Sequence, residues 1–131
     1  MTVEPAPVHD TASIAALASR KDGGLLVLPD FFTMFNRALL LSAINEARVP
    51  AVFWSRTFVD EGGLMSYSTD SAEQLRRAAS YVDRILKGAR AADLPVQNPT
   101  TFELAINLKT ARAIGVTLPP SLLATANEVI E

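Results

Sequence analysis

Apolar residues along this chain come in two patterns, short unbroken runs and longer stretches at helical spacing, and the two alternate. Leu25-Leu26-Val27-Leu28 is an unbroken run bounded by Gly23-Gly24 and Pro29-Asp30. That pattern predicts a short strand covered on both faces, as in a parallel sheet. From Phe32 to Ala47 the apolar positions Met34, Phe35, Ala38, Leu39, Leu41, Ala43 and Ile44 follow helical spacing and predict one long helix with a wide apolar face. Val49-Pro50-Ala51-Val52-Phe53-Trp54 then predicts a second buried strand. Strand, helix and strand in about 30 residues make a βαβ unit, which is right-handed.

The flanking segments follow from local chemistry. Pro5 and Pro7 exclude helix over residues 1–8, where Val3 and Val8 suit an edge strand. Asp10 or Thr11 caps a helix carrying Ile14, Ala15, Leu17 and Ala18, which Lys21-Asp22-Gly23-Gly24 ends. Residues 56–63 read as a helical turn and loop, and Leu64-Met65-Ser66-Tyr67-Ser68 as a short strand. Asp70-Ser71-Ala72-Glu73 forms a capping box. The helix it opens carries Leu75, Ala78, Ala79, Val82, Ile85 and Leu86 on one side, and Gly88 closes it. Residues 93–99 are a proline-punctuated linker. Phe102, Leu104 and Ile106 alternate with polar or small neighbours as in a half-buried strand. Asn107 caps a short helix that stops at Gly115, and Pro119-Pro120 opens a last helix extending through Val129 and Ile130.

Composition narrows the function classes. With 131 residues, 49% of them apolar and 20% charged, the chain fits one ordinary domain with a sizeable core. The net charge is −2 and the basic residues are scattered, which argues against nucleic-acid binding. With no cysteine, disulfides, zinc-thiolate sites and thiol nucleophiles are excluded. No apolar run approaches the roughly 20 residues a bilayer demands. The first residues lack a basic segment followed by an apolar core, so the chain as given is expected to be cytoplasmic.

The residues supply little catalytic chemistry. His9, the only histidine, sits beside a helix cap with no triad partner nearby and reads as a surface or capping residue. Gly23-Gly24 and Gly62-Gly63 lack the spacing of a phosphate loop. Asp60-Glu61 and Asp70 form no readable acid–base pair, and no metal-ligand cluster is present. We therefore expect a binding protein, neither an enzyme nor a cofactor or metal carrier.

The strand ends are the informative places, because open α/β sheets bind ligands beyond the carboxyl ends of their strands. Asp30, Phe31 and Thr33 occupy such a position. Asp30 and Thr33 are natural helix caps, and a cap facing a cleft can also accept a hydrogen bond from a ligand amine. Trp54 reads as core or as an aromatic wall, and Arg56 as a solvated charge or a carboxylate partner. Ser66, Tyr67 and Ser68 offer hydroxyls beside the Gly62-Gly63 turn.

The order of segments resembles the distal portion of ABC transporter substrate-binding proteins of the tryptophan- and tyrosine-type subfamily, which have the type I periplasmic-binding fold. The matching stretches are Gly23–Asp30, Gly62–Tyr67, Ala79–Gly88, Ala92–Val96, Phe102–Leu108 and Pro119–Leu123. The resemblance implies a parallel-sheet, three-layer α/β lobe that is incomplete, the N-terminal lobe being absent. It divides the chain into a second-lobe βαβ segment (1–63), a hinge strand and helix that belong with the first lobe (64–99), and a C-terminal strand with helices (100–131).

It also implies that Asp30, Phe31 and Thr33 line an interlobe cleft, with Ser66 and Tyr67 near it. The implied ligand is an amino acid or similar small organic solute, and the implied partner in full-length, periplasmic relatives is an ABC permease. No role is implied for Arg56. Separated from the first lobe, the apolar stripe of residues 72–87 is expected to fold back on the lobe or to drive homo-oligomerisation or segment swapping. The alternative function is an interaction or assembly domain that keeps the fold without binding a ligand.

Overall fold

The architecture is taken from a computed structural model, which describes residues 2–18 and 23–131, the side chains of residues 11, 15, 17 and 18 excepted. The expected helix end at Lys21-Asp22 lies outside the described residues. In chain order the elements are α1 (Thr11–Ala18), β1 (Leu25–Val27), α2 (Phe31–Phe35), α3 (Arg37–Glu46), β2 (Ala51–Phe53), α4 (Arg56–Asp60) and β3 (Met65–Thr69). They continue with α5 (Ser71–Leu86), a 3₁₀ turn (Ala91–Asp93), β4 (Phe102–Asn107), α6 (Leu108–Ile114), α7 (Pro120–Leu123) and β5 (Glu128–Ile130).

The five strands form one sheet in sequence order, β1-β2-β3-β4-β5. β1 and β2, β2 and β3, and β4 and β5 pair in parallel, and only β3 and β4 are antiparallel. The fold is thus mixed α/β with a mostly parallel sheet, as the sequence predicts. Three helices (α2 to α4) fall within the parallel connections among β1, β2 and β3. The main core joins Ile14, Leu40, Leu41, Ile44, Val49, Ala51, Phe53 and Phe58, with the Phe53 and Phe58 rings stacked at 4.8 Å. A smaller core of Leu64, Ala111 and Ile114 lies under α6.

Asn107 ties the two regions together. Its side-chain oxygen accepts from Thr110 N–H at 3.1 Å, capping α6, and its amide group donates to the Val59 carbonyl at 3.2 Å. Gly115, at φ 78°, takes the left-handed conformation that ends α6. The Asn107 and Gly115 expectations are both realised.

Several sequence expectations are corrected. The helix predicted over 32–47 is two helices, since Asn36 ends α2 and starts α3, its side-chain amide donating to the Phe32 carbonyl at 2.9 Å. A polar side chain that hydrogen-bonds the preceding turn competes with continuous helix. β1 is an edge strand and is not covered on both faces: Leu26, between the half-buried Leu25 and Val27, is 65% exposed, as is Leu28 just beyond it. Residues 2–9 form no strand: Val3 is exposed, while Val8 packs against the main core.

The last helix stops at Leu123, and residues 128–130 are a strand. Asn127 docks there on both backbone groups of Leu104, donating to its carbonyl at 2.9 Å and accepting from its amide at 2.8 Å. The free edge of β4 then captures the chain, which Val129 and Ile130 suit as β-branched residues. The capping box is half realised. Asp70 accepts from Ala72 and Glu73 amides at 2.8 and 3.0 Å, but its own amide donates to the Thr101 carbonyl and Glu73 pairs with Arg77 instead.

The stripe on α5 does not fold back. No residue of this helix is buried, and Leu75, Val82, Ile85 and Leu86 are all exposed. A polar strap holds α5 instead: Arg77 donates to Thr100 Oγ1 at 2.9 Å, and the Tyr81 hydroxyl donates to the Pro95 carbonyl. These contacts use the helix's polar side, which leaves its apolar side open.

Candidate functional site

Parallel pairing brings the carboxyl ends of β1, β2 and β3 to one edge of the sheet, and the reversal at β4 adds the amino ends of β4 and β5. Along this edge lie Asp30, Trp54-Ser55-Arg56, Ser66-Tyr67-Ser68, Glu103-Leu104 and Asn127-Glu128. Each owes its position to a strand end. At the β1 end, Asp30 caps α2, accepting from Thr33 N–H at 3.1 Å, while the Thr33 hydroxyl donates to the Asp30 carbonyl at 2.9 Å. Thr33 is therefore buried and engaged, whereas Asp30 keeps an exposed carboxylate. Phe31 is 83% exposed beside it, as is Phe35 one turn on.

At the β3 end, alternation sends neighbouring side chains to opposite faces. Ser66 points into the body of the domain and is 1% exposed, and its hydroxyl has no hydrogen-bond partner. Tyr67 is exposed and stacks on Phe102 at 5.4 Å across the β3–β4 pair. Asp30 and Ser66 share the edge but not a strand. β2 lies between them, and the β1 residue in register with Ser66 is Val27, three residues before Asp30, through Phe53.

Ser66 lines a cavity of about 100 Å³ together with Arg56, Ser68, Glu103, Asn127 and Glu128. Arg56 makes a bidentate ion pair with Glu128 at 2.5 and 2.7 Å and a weaker one with Asp60 at 3.4 Å. Arg56 is thus a solvent-exposed charge, as one of the two readings had it, with carboxylates of this chain as its partners. Trp54 belongs to the core: its ring packs edge-to-face on Phe58 at 6.1 Å, and its indole N–H is buried without a partner. Glu103 and Glu128 were not legible as site residues. Glu103 reads as the polar half of an alternating strand, and Glu128 falls on the predicted extension of a helix that stops at Leu123.

A larger groove of about 340 Å³ runs between α5 and residues 97–101. Its charged groups are already engaged, Glu73 with Arg77 at 2.8 Å and Asp70 with the Ala72 and Glu73 amides. No group of three or more metal-binding side chains occurs among the described residues. Nor, among them, is any helix long and apolar enough to cross a membrane.

Residues 1–130 match the family model for ABC transporter substrate binding protein. No curated protein matches the chain. Among solved structures, a conserved domain protein from Vibrio cholerae is 26% identical with a TM-score of 0.81, over 91% of this chain and 40% of that one. The ABC domain in complex with L-Trp from Streptococcus pneumoniae is 28% identical with a TM-score of 0.80, over 92% of this chain and 41% of that one. A ligand-free, open substrate-binding protein with adhesive properties from Clostridium difficile shares the fold at 18% identity and a TM-score of 0.66, over 92% of this chain and 40% of its own. The chain thus spans about 40% of the length of the solved chains it matches, as a partial lobe would. A partial lobe with a mostly parallel sheet, matched by one family model from end to end, leads to one assignment: the chain belongs to the ABC transporter substrate-binding protein family.

Proposed function

We propose that this chain contributes the second-lobe wall of a cleft that binds an amino acid or similar small organic solute for an ABC permease. The observation that carries this reading is the family match over residues 1–130, joined to 28% identity with a domain that holds L-Trp. The sheet edge supports it with suitable chemistry: an exposed carboxylate at Asp30 for a ligand amine, and an exposed ring at Phe31 for an apolar or aromatic side chain. Thr33 keeps Asp30 oriented, and Ser66 and Tyr67 form the side of the cleft nearest the hinge. The protein acts as a binder rather than a catalyst, in the periplasmic setting of its full-length relatives. On this reading residues 64–99 belong with a first lobe, whose apolar surface covers α5.

Thermal shift against a panel of amino acids tests the proposal. A ligand at 100 times its Kd adds about 2.7 kcal/mol of stability. Asp30→Asn retains a good helix cap but removes the charge, so the variant should fold normally and lose the shift. A shift that survives in Asp30→Asn removes Asp30 from the site. The exposed apolar face of α5 favours a second reading, an assembly domain without a ligand. The absence of any shift across aromatic, branched and small amino acids would select that reading.

A further inference from the structure

We infer that α5 is a self-complementary surface on which a second copy of this chain docks with its own α5 antiparallel, Leu75 of each copy against Leu86 of the other. The inference goes beyond the solute-binding reading and does not rest on it. It starts from the way α5 is held. The helix has 16 residues and is therefore about 24 Å long. Arg77 and Tyr81 tie it to the 95–101 segment, through Thr100 Oγ1 and the Pro95 carbonyl. At 100° per residue, its half-buried residues, Glu73, Arg77 and Tyr81, fall on one side. Leu75, Ala79, Val82 and Leu86 fall on the side directly opposite, all exposed. The face left for a partner thus points away from the body of the chain.

Size supplies the first complementarity. Leu75, Ala79, Val82 and Leu86 are spaced four, three and four residues apart, the seam along which two helices interlock. Laid antiparallel on itself about an axis between Ser80 and Tyr81, this seam sets Leu75 against Leu86 in both end layers. The two middle layers each join Ala79 of one copy to Val82 of the other. The small Ala79 at the centre allows the helix axes to approach to about 8–10 Å. On one flank of the seam, Ile85 of each copy falls against Ala78 of the other, which widens the apolar contact.

Charge fixes the orientation. The other flank carries Arg76 and Asp83. In the antiparallel register Arg76 of each copy lies beside Asp83 of the other, giving two reciprocal pairs of opposite charge about one axis. A parallel pairing brings Arg76 beside Ser71 and Asp83 beside Ala78, with no charge pair. Flanking charges of this kind set partner and orientation in helix pairs. Both side chains are available, at 70% and 58% exposure, their ion pairs being with Glu73 at 3.5 Å and Lys87 at 2.9 Å in the same helix. Exposed pairs of that sort hold a side chain weakly. The arrangement is isologous and closes at two copies. The proposed first lobe would use the same face, so the two occupants exclude each other; the second copy is the one whose complementary groups this chain itself supplies.

Sedimentation equilibrium of the full chain over about 1–200 μM tests the inference, because a single helix pair is smaller than a standard interface and should dissociate in that range. We expect a monomer–dimer equilibrium. Arg76→Glu and Asp83→Arg, each alone, put like charges in both pairs and should weaken the dimer at least about tenfold. Mixed in equal amounts, the two variants should form a 1:1 heterodimer at least as tight as the wild-type dimer. Every pair is then opposite in charge, and a variant that failed to fold would give no such rescue. A wild-type chain that stays monomeric at every concentration overturns the inference and leaves the face to a first lobe. Wild-type association in either single variant, or no heterodimer on mixing, overturns the antiparallel docking. The solute-binding reading is decided separately, by the thermal shift.

Discussion

Gly63 shows how closely one residue can be specified by its neighbours. A Cβ there would sit 2.8 Å from the Phe58 carbonyl oxygen and 2.8 Å from the Phe53 ring, and the Gly63 amide donates to that same carbonyl at 2.7 Å. The carbonyl is backbone and the ring is stacked in the main core, so neither yields cheaply. Gly63→Ala is expected to cost about 1–3 kcal/mol, seen as a lower urea midpoint with an unchanged slope; an unshifted midpoint would show that the turn relaxes freely. Sequence marks Gly62-Gly63 as a turn, but only packing explains the second glycine. Asp30 is the reverse case. Its capping role was legible from its place before a helix, yet its exposed carboxylate, available to a ligand, depends on where α2 sits over the sheet edge.

At 16 residues α5 is a long helix, yet no residue of it is buried, and its integrity therefore rests on local interactions. Asp70 holds two first-turn amides, and the ion pairs Arg77–Glu73 and Lys87–Asp83 lie along the helix. A cap of this kind contributes about 1 kcal/mol. In Asp70→Ala, hydrogen exchange of the Ala72 and Glu73 amides should speed up while the global urea midpoint stays put, because α5 opens independently of the core. A matching fall in the global midpoint would show that α5 is packed. The C-terminal element teaches a related lesson. Leu122, Leu123, Ala126, Val129 and Ile130 fit helical spacing, yet the open edge of β4 recruits residues 128–130 into the sheet. Periodicity alone does not distinguish these outcomes when the run is short and the partner is distant in sequence.

At the scale of the whole molecule, the exposed stripe of α5 has the larger consequence. Each Leu, Ile or Val left in water forgoes roughly 1.5–3 kcal/mol of burial, so Leu75, Val82, Ile85 and Leu86 together approach the spare stability of a typical domain. The 131-residue chain on its own is accordingly expected to self-associate in light scattering. Leu75→Gln with Leu86→Gln should return it to a monomer without lowering the urea midpoint, both side chains being exposed in the single chain. A monomer in the unsubstituted chain would remove that expectation. The solved chains it resembles are more than twice as long, and on the proposed reading the added length supplies the surface that covers this face.

What the sequence determined by itself was the run of local structure and the class of molecule. Short apolar runs marked β1 and β2, Asp70, Asn107 and Gly115 marked helix ends, and the segment order marked the substrate-binding family. Those features depend on neighbours a few residues away, where spacing and backbone preference act directly. The tertiary structure decided the break at Asn36, the edge position of β1, the strand at 128–130 and the cavity beside Ser66. Each of these depends on which strand edge was free, and which side chains met across it, after long-range pairing. Glu103 and Glu128 are separated by 25 positions and reach one cavity only because β4 and β5 lie side by side.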